Sequence, residues 1–371
     1  MSILFFIAIL VLLILSHELG HFVFAKLKGV KVEEFGFGFP PRLFSFKKGE
    51  TIYSVNLLPL GGFVKIFGED SPSPASAITS AGSGQAPAEA FYSKSASSKA
   101  QILSAGVLFN ILVAVIIFFL IFMIGAPMSL SQERDFKSVK NREIIITEIQ
   151  KDSAAERSGL EAGDRLIGLR FGLEELKPAG LSEAQSFIGA HKGKDIFVLV
   201  RRQGEDIAIS ARPDISPSDG RGALGIVMDE VGIAQMAWHK ALWQSFKTTA
   251  LVLGFIVIFL FNLVKAIFTG SAGPALSHIA GPVGIVSLVG EASHLGLVYV
   301  FQLAAFLSLN LAIINFLPFP ALDGGRILFL GIEILKGSPL NRKWSGFAHT
   351  LGFVILIILM AIITYRDILR I

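Results

Sequence analysis

The chain places His17-Glu18-Leu19-Gly20-His21 inside its first hydrophobic segment, and that placement constrains it more than any other feature. Residues 3–15 are entirely apolar. The run stays mostly apolar to Phe24, with the two histidines and the glutamate as its only ionisable groups. Ionisable side chains in a membrane span are costly to bury, so their default reading is functional. Residues four apart share one face of a helix, so both imidazoles can address one ion. Glu18 follows the first of them, where a carboxylate can take a proton from a metal-bound water. The expectation is a Zn2+ hydrolase built into a membrane. H-E-x-x-H also occurs by chance on exposed helices, but those lack an unbroken apolar run before it.

Composition agrees with a membrane class. Hydrophobic residues make up 52% of the chain and charged residues 17%. The mean hydropathy is +0.64, above that of ordinary soluble domains. With no cysteine, thiolate ligands, disulfides and cysteine nucleophiles are excluded. The net charge of +4 is small for 371 residues and gives no indication of nucleic-acid binding. Residues 1–16 carry no Lys or Arg, while Lys26, Lys28 and Lys31 follow the span. A cleaved secretory signal has the reverse order, so the segment is expected to remain, with its N-terminus outside.

Four more apolar stretches lie at residues 102–124, 248–263, 295–319 and 346–364. They compete for the remaining spans. Between the first two stretches, residues 32–67 alternate like strands, with 42–46 and 51–56 paired across a turn at 47–50. A Ser/Ala/Pro/Gly-rich stretch over 70–89 reads as a flexible loop within 70–99. Residues 128–231 look like a soluble insert. Their Gly159-Leu160-Glu161-Ala162-Gly163-Asp164 resembles the signature of bacterial PDZ domains, which bind extended peptides at a sheet edge. A spacer of the same fold without peptide binding is the alternative.

A third metal ligand is expected far downstream. In Asn315-Phe316-Leu317-Pro318-Phe319-Pro320-Ala321-Leu322-Asp323-Gly324-Gly325, the prolines break regular helix and the glycines let the backbone bend near an ion. A hydrolytic zinc site takes three protein ligands, and Asp323 is the carboxylate best placed to join His17 and His21. The competing role for Asp323 is a cap on the next helix.

Taken together, these motifs resemble the site-2 proteases, the intramembrane zinc metalloproteases, and within them the bacterial regulator-of-sigma-E protease branch. Leu58-Pro59-Leu60-Gly61-Gly62-Phe63-Val64 and Gly281-Pro282-Val283-Gly284-Ile285 extend the match in the family's order over nearly the whole chain. The resemblance implies His17, His21 and Asp323 as ligands of one Zn2+, Glu18 as base, and Asn315 near the scissile bond. Asn110 stands as a further substrate-side residue. The resemblance further implies a bacterial inner-membrane enzyme that cuts single-pass transmembrane proteins, such as anti-sigma factors or signal-peptide remnants. Two departures stand out. Val107 replaces the proline usual in the second span, with Asn110 kept, and there is room for one PDZ domain where some relatives carry two.

The expected fold class is a multi-pass α-helical membrane protein of about four transmembrane helices, with a membrane-associated β-hairpin sheet and an inserted extracytoplasmic PDZ domain. The domains are 1–127, 128–231 and 232–371. The stretch at 248–263 would lie along the interface, re-enter, or be paired with a second crossing near 279–289, because one further crossing would put Asp323 on the wrong side. The active site then lies near the cytoplasmic side, and both termini lie outside. Substrate is expected to be held by strand addition along residues 52–56, with Tyr53, Ser54 and Val55 as its contacts. The partners are single-pass substrates and the lipid bilayer, with the PDZ domain touching substrate termini or ectodomains and no nucleic acid involved. A non-catalytic chaperone, a transporter and a soluble-substrate protease are the alternatives.

Overall fold

A computed structural model describes residues 2–69, 87–130, 138–202, 204–214, 223–271, 280–338 and 340–369. Most of the expected loop at 70–89 lies outside these, as does Ile279 of the proposed second crossing. The chain divides into two compact units, residues 1–119 with 242–371, and residues 120–241.

In the first unit, α1 (Ser2–Leu27) and α2 (Ala96–Ile124) carry the first two apolar stretches as uninterrupted helices. They pack closely because glycine removes side-chain bulk where they meet. A Cβ on Gly20 would run into the Ala105 carbonyl, and one on Gly106 into the rings of His17 and His21. The expected stretch at 295–319 is occupied by α7 (Leu297–Phe316), which follows directly on α6 (Pro282–Leu295). Gly296, with φ of 119°, breaks them apart. Then come α8 (Asp323–Lys336) and α9 (Arg342–Ile368), while α5 (Trp238–Phe268) contains the stretch at 248–263. Five helices among the described residues, α1, α2, α5, α7 and α9, are long and apolar enough to cross a membrane.

The hairpin of β1 (Val32–Lys48) and β2 (Thr51–Ile66) folds back on itself into four segments. Residues 42–48 pair with 51–56, running oppositely from Arg42↔Asn56 to Lys48↔Thr51. Residues 34–37 then register with 52–55 on one side, with numbers rising together from Glu34↔Ile52 to Phe37↔Val55. On the other side they register with 62–65, from Glu34↔Lys65 to Phe37↔Gly62, in opposite directions. The segment order is therefore 42–48, 51–56, 32–37, 62–66. Its two edges are 42–48 and 62–66.

The sheet is anchored to the helices through Ala25, Val30, Val32, Ile66 and Ile102, a buried cluster flanked by Phe22, Phe24, Val64 and Phe91. Its far end is apolar yet exposed, at Phe39, Leu43, Phe44 and Phe46. That surface suits a lipid environment better than water.

The second unit is a seven-stranded sheet in the order β3-β9-β4-β5-β7-β8, with β6 on β5. The strands are β3 (Ala126–Ser129), β4 (Ser138–Ile149), β5 (Arg165–Phe171), β6 (Glu174–Leu176), β7 (Ile196–Arg202), β8 (Glu205–Ala211) and β9 (Ile226–Gln235). The short helix α3 (Ala154–Ser158) and the longer α4 (Leu181–Ala190) complete it around a core that includes Ile146, Leu169, Ile196, Val198 and Leu224.

The glycine-rich motif has a physical reading. Ser153 caps α3 by accepting the Glu156 N–H, and Gly159 ends it in the left-handed region with φ of 82°. Asp164, with 1% of its side chain exposed, accepts from Arg202 Nε at 2.7 Å and from the Glu161 N–H at 3.0 Å.

Candidate active site

His17 and His21 fall one turn apart on α1 and turn their Nε2 atoms to the same point. Asp323 meets them from the start of α8, its Oδ2 at 3.0 Å from His17 Nε2 and 3.2 Å from His21 Nε2. The two Nε2 atoms are 3.2 Å apart. Both histidines are buried, at 9% and 8% exposure.

The loop before Asp323 is held from α9. Ala321 takes a φ of +81°, unusual for a residue with a Cβ, and donates its N–H to His349 Nδ1 at 3.0 Å. Leu322 is the N-cap of α8, and the carboxylate of Asp323, its first residue, turns its Oδ2 to the histidines. One turn on, Arg326 pairs with Glu69, which follows the edge segment 62–66 and ties the sheet to the helix bearing Asp323.

His21 Nδ1 lies 2.9 Å from the Ile102 carbonyl oxygen. A carbonyl only accepts, so that Nδ1 carries the ring proton and Nε2 of the neutral ring has a bare lone pair. This lone pair faces a carboxylate oxygen and a second imidazole nitrogen, an arrangement that a metal ion or a proton between them relieves. Ligands about 2.0–2.1 Å from a tetrahedral ion stand about 3.3 Å from one another, close to the separations found. Two nitrogens and one carboxylate oxygen suit zinc, leaving a fourth position for water. Among the described residues this is the one group of three such side chains that could hold a metal.

Glu18 sits on the side of α1 that faces the sheet. A Cβ on Gly62 would come within 2.7 Å of Glu18 Cγ and 2.8 Å of Ile14, so the edge segment passes directly over the glutamate. Asn315 Nδ2 is 3.5 Å from His17 Nε2, at the outer limit of a hydrogen bond but beside the cluster.

Two expectations about substrate contacts need correction. Residues 52–55 form an inner segment, paired on both sides, so no strand can add to them, and Asn56 pairs with Arg42. Ser54 is buried, and Tyr53 packs against Phe22, Phe35 and Phe46. The edge beside Glu18 is 62–66. Asn110 is fully buried, within reach of Ser16 and His17, and its carbonyl accepts from Ser308 Oγ at 2.8 Å. It presents no surface to a substrate. Sequence reasoning passed over Ser16, Ser308 and Gly106, although two hydroxyls and a glycine inside apolar spans are a recognisable sign of close helix packing.

Chemistry and setting together define the class, a metallopeptidase housed among helices apolar enough to span a bilayer. Comparison narrows it. The family model of Peptidase family M50 matches residues 5–359, and the chain belongs to that family. It is 28% identical to the zinc metalloprotease RasP of Geobacillus kaustophilus, over 99% of this chain and 97% of the relative. It is 28% identical to the regulator of sigma-W protease RasP of Bacillus subtilis, over 98% and 97%. With the regulator of sigma-E protease RseP of Escherichia coli the figure is 26%, over 98% of each. The protein is therefore a metalloendopeptidase of the site-2 protease type, and zinc is its cofactor.

Proposed function

We propose that the protein cleaves single-pass membrane proteins within their transmembrane segments, with His17, His21 and Asp323 as zinc ligands and Glu18 as general base. The observation that carries this reading is the convergence of three ligand atoms within 3.2 Å, two of them on a helix of membrane-spanning length and the third at the start of α8. Bound zinc supplies Lewis acidity, lowering the pKa of a water and polarising a carbonyl. Glu18 accepts a proton from the attacking water and returns it to the departing amine. Asn315, beside the cluster, would hydrogen-bond the peptide group under attack.

A helical substrate must unwind before its peptide bonds become accessible. Strand addition to residues 62–66 would hold the extended form, with the backbone running past Glu18. Each backbone hydrogen bond contributes about 0.5–1.5 kcal/mol net.

Four helices cross the membrane in this reading. Pro320 and Ala321 of the ligand loop abut Gly352 and His349 of α9, while the other end of α9 reaches the start of α6, where Asp367 accepts from the Gly284 N–H at 2.8 Å. At 1.5 Å per residue, α6 begins about 22–27 Å along α9 from the level of the ligand loop. The insert emerges on that same distant side if α2 crosses once. Residues 269–281 are too few to re-cross as a helix, which takes about 20. So α5 begins and ends on one side, as an interfacial or re-entrant helix, with Trp238 and Trp243 suited to the headgroup region. The ligand side is cytoplasmic by the charge of Lys26, Lys28 and Lys31, and the insert and both termini are extracytoplasmic.

The insert reads as a PDZ domain. Residues 226–229 of β9 carry no strand on their outer side among the described residues, which leaves an edge for a substrate terminus or ectodomain. The reading is tested by reconstituting the protein with a panel of single-pass membrane proteins and mapping the cut. Cleavage inside a transmembrane segment, lost in Glu18→Gln, is the expected result. Cuts confined to soluble regions would reject it.

A further inference from the structure

The two histidines are served differently behind the metal site. His21 Nδ1 meets a backbone carbonyl, that of Ile102, at 2.9 Å. His17 Nδ1 meets a side chain, the Asn110 amide, whose nearer atom is placed as Nδ2 at 3.3 Å. The other amide atom, placed as Oδ1, is 2.8 Å from Ser16 Oγ, and Ser16 Oγ is also 2.9 Å from the Leu13 carbonyl oxygen.

That placement leaves two conflicts. Ser16 has a single hydroxyl proton and two acceptors to satisfy. His17 must keep Nε2 unprotonated to hold an ion, so its Nδ1 carries the proton and would point at an amide N–H. Asn110 is fully buried, so bulk water cannot relieve either conflict. Amide oxygen and nitrogen are nearly the same size, and their assignment follows from the hydrogen-bond network. Turning the amide half a turn removes both conflicts. Nδ1–H of His17 then donates to Asn110 Oδ1, the Asn110 amide donates to Ser16 Oγ, and Ser16 donates to the Leu13 carbonyl. Ser308 Oγ donates to the Asn110 backbone carbonyl and fixes α7 to the same point.

We infer that Asn110 is a positioning residue of the zinc site, its amide oxygen holding His17 in the Nδ1–H tautomer and so presenting Nε2 to the metal. It is the side-chain counterpart of the Ile102 carbonyl behind His21. Partners of this kind orient metal-binding imidazoles, and their loss weakens metal binding about 10–100-fold. The inference rests on the reading of His17 as a ligand.

The test is zinc affinity of the full chain in detergent, measured by chelator competition. Asn110→Leu removes the acceptor and should weaken binding about 10–100-fold. Asn110→Asp keeps an acceptor toward Nδ1 and should stay within a few-fold of wild type. An Asn110→Leu protein with wild-type affinity, or an Asn110→Asp protein as weak as Asn110→Leu, would overturn the inference. His17→Ala separates the two readings, because wild-type affinity in that variant would remove His17 from the site altogether. Nitrogen-15 histidine spectra of the metal-free wild type give an answer even if the Asn110 variants fail to fold. His17, assigned by its disappearance in His17→Gln, should carry a proton on Nδ1, and a bare Nδ1 would contradict the inference.

Discussion

Asp323 Oδ2 stands 3.0 Å from His17 Nε2, although 306 residues separate them in the chain. That contact joins the first apolar helix to the loop after the fourth, so the candidate metal site is also where the two halves of the membrane unit meet. If His17 and Asp323 hold the zinc as proposed, metal binding and folding of this unit are coupled.

Gly106 tests the packing behind the ligands. Its missing side chain is what lets α2 lie against both imidazoles. Gly106→Ala should push at least one ring away and lower zinc content sharply, with helix content by circular dichroism unchanged. Full zinc occupancy in Gly106→Ala would mean that the rings have more freedom than their contacts suggest.

Gly62 and the residues after it test the substrate edge. Gly62→Ala places a methyl group against Glu18 Cγ and should slow cleavage at least tenfold while zinc is retained. Proline at Phe63 or Val64 removes one amide donor from the edge. Outward N–H groups alternate along a strand, so one of these prolines should slow cleavage much more than the other. Equal, wild-type rates for two folded, zinc-loaded proline variants would show that substrate does not pair there.

Asp164 tests the second unit. Burial alone would raise its pKa, but the Arg202 guanidinium and the Glu161 N–H more than offset this and hold it below the usual carboxylate range. A carboxylate depressed in the folded state stabilises above its unfolded pKa, about 3.9, and loses that contribution as pH falls through the folded value. Asp164→Asn should therefore cost about 2–3 kcal/mol near neutrality, with the gap to wild type closing below about pH 4. Amide hydrogen exchange of residues 120–241 in the intact protein, wild type against variant, reads this out. A gap that stayed constant down to pH 3 would show that the Asp164 charge contributes nothing.

The parts of the site that were legible in the sequence are those set by local geometry. His17, Glu18 and His21 obey helical spacing, and Asp323 is marked by prolines and glycines that interrupt an apolar stretch. Asn110 was visible as a polar residue in a span, but its role depends on which helix face meets His17, and helix rotation is not written in periodicity. The strand 52–56 was recognised as a strand and misread as an edge. Alternation shows which way side chains point, whereas neighbours depend on β1 turning back between Gly38 and Arg42 to supply a second segment.

Zinc content and cleavage, measured together on Glu18→Gln and Asp323→Ala, test the central claim most directly. Glu18→Gln should keep about one zinc per chain and lose cleavage of a reconstituted single-pass substrate, and Asp323→Ala should lose both. A folded Asp323→Ala protein with full zinc, or a Glu18→Gln protein cutting at the wild-type rate, would contradict the account.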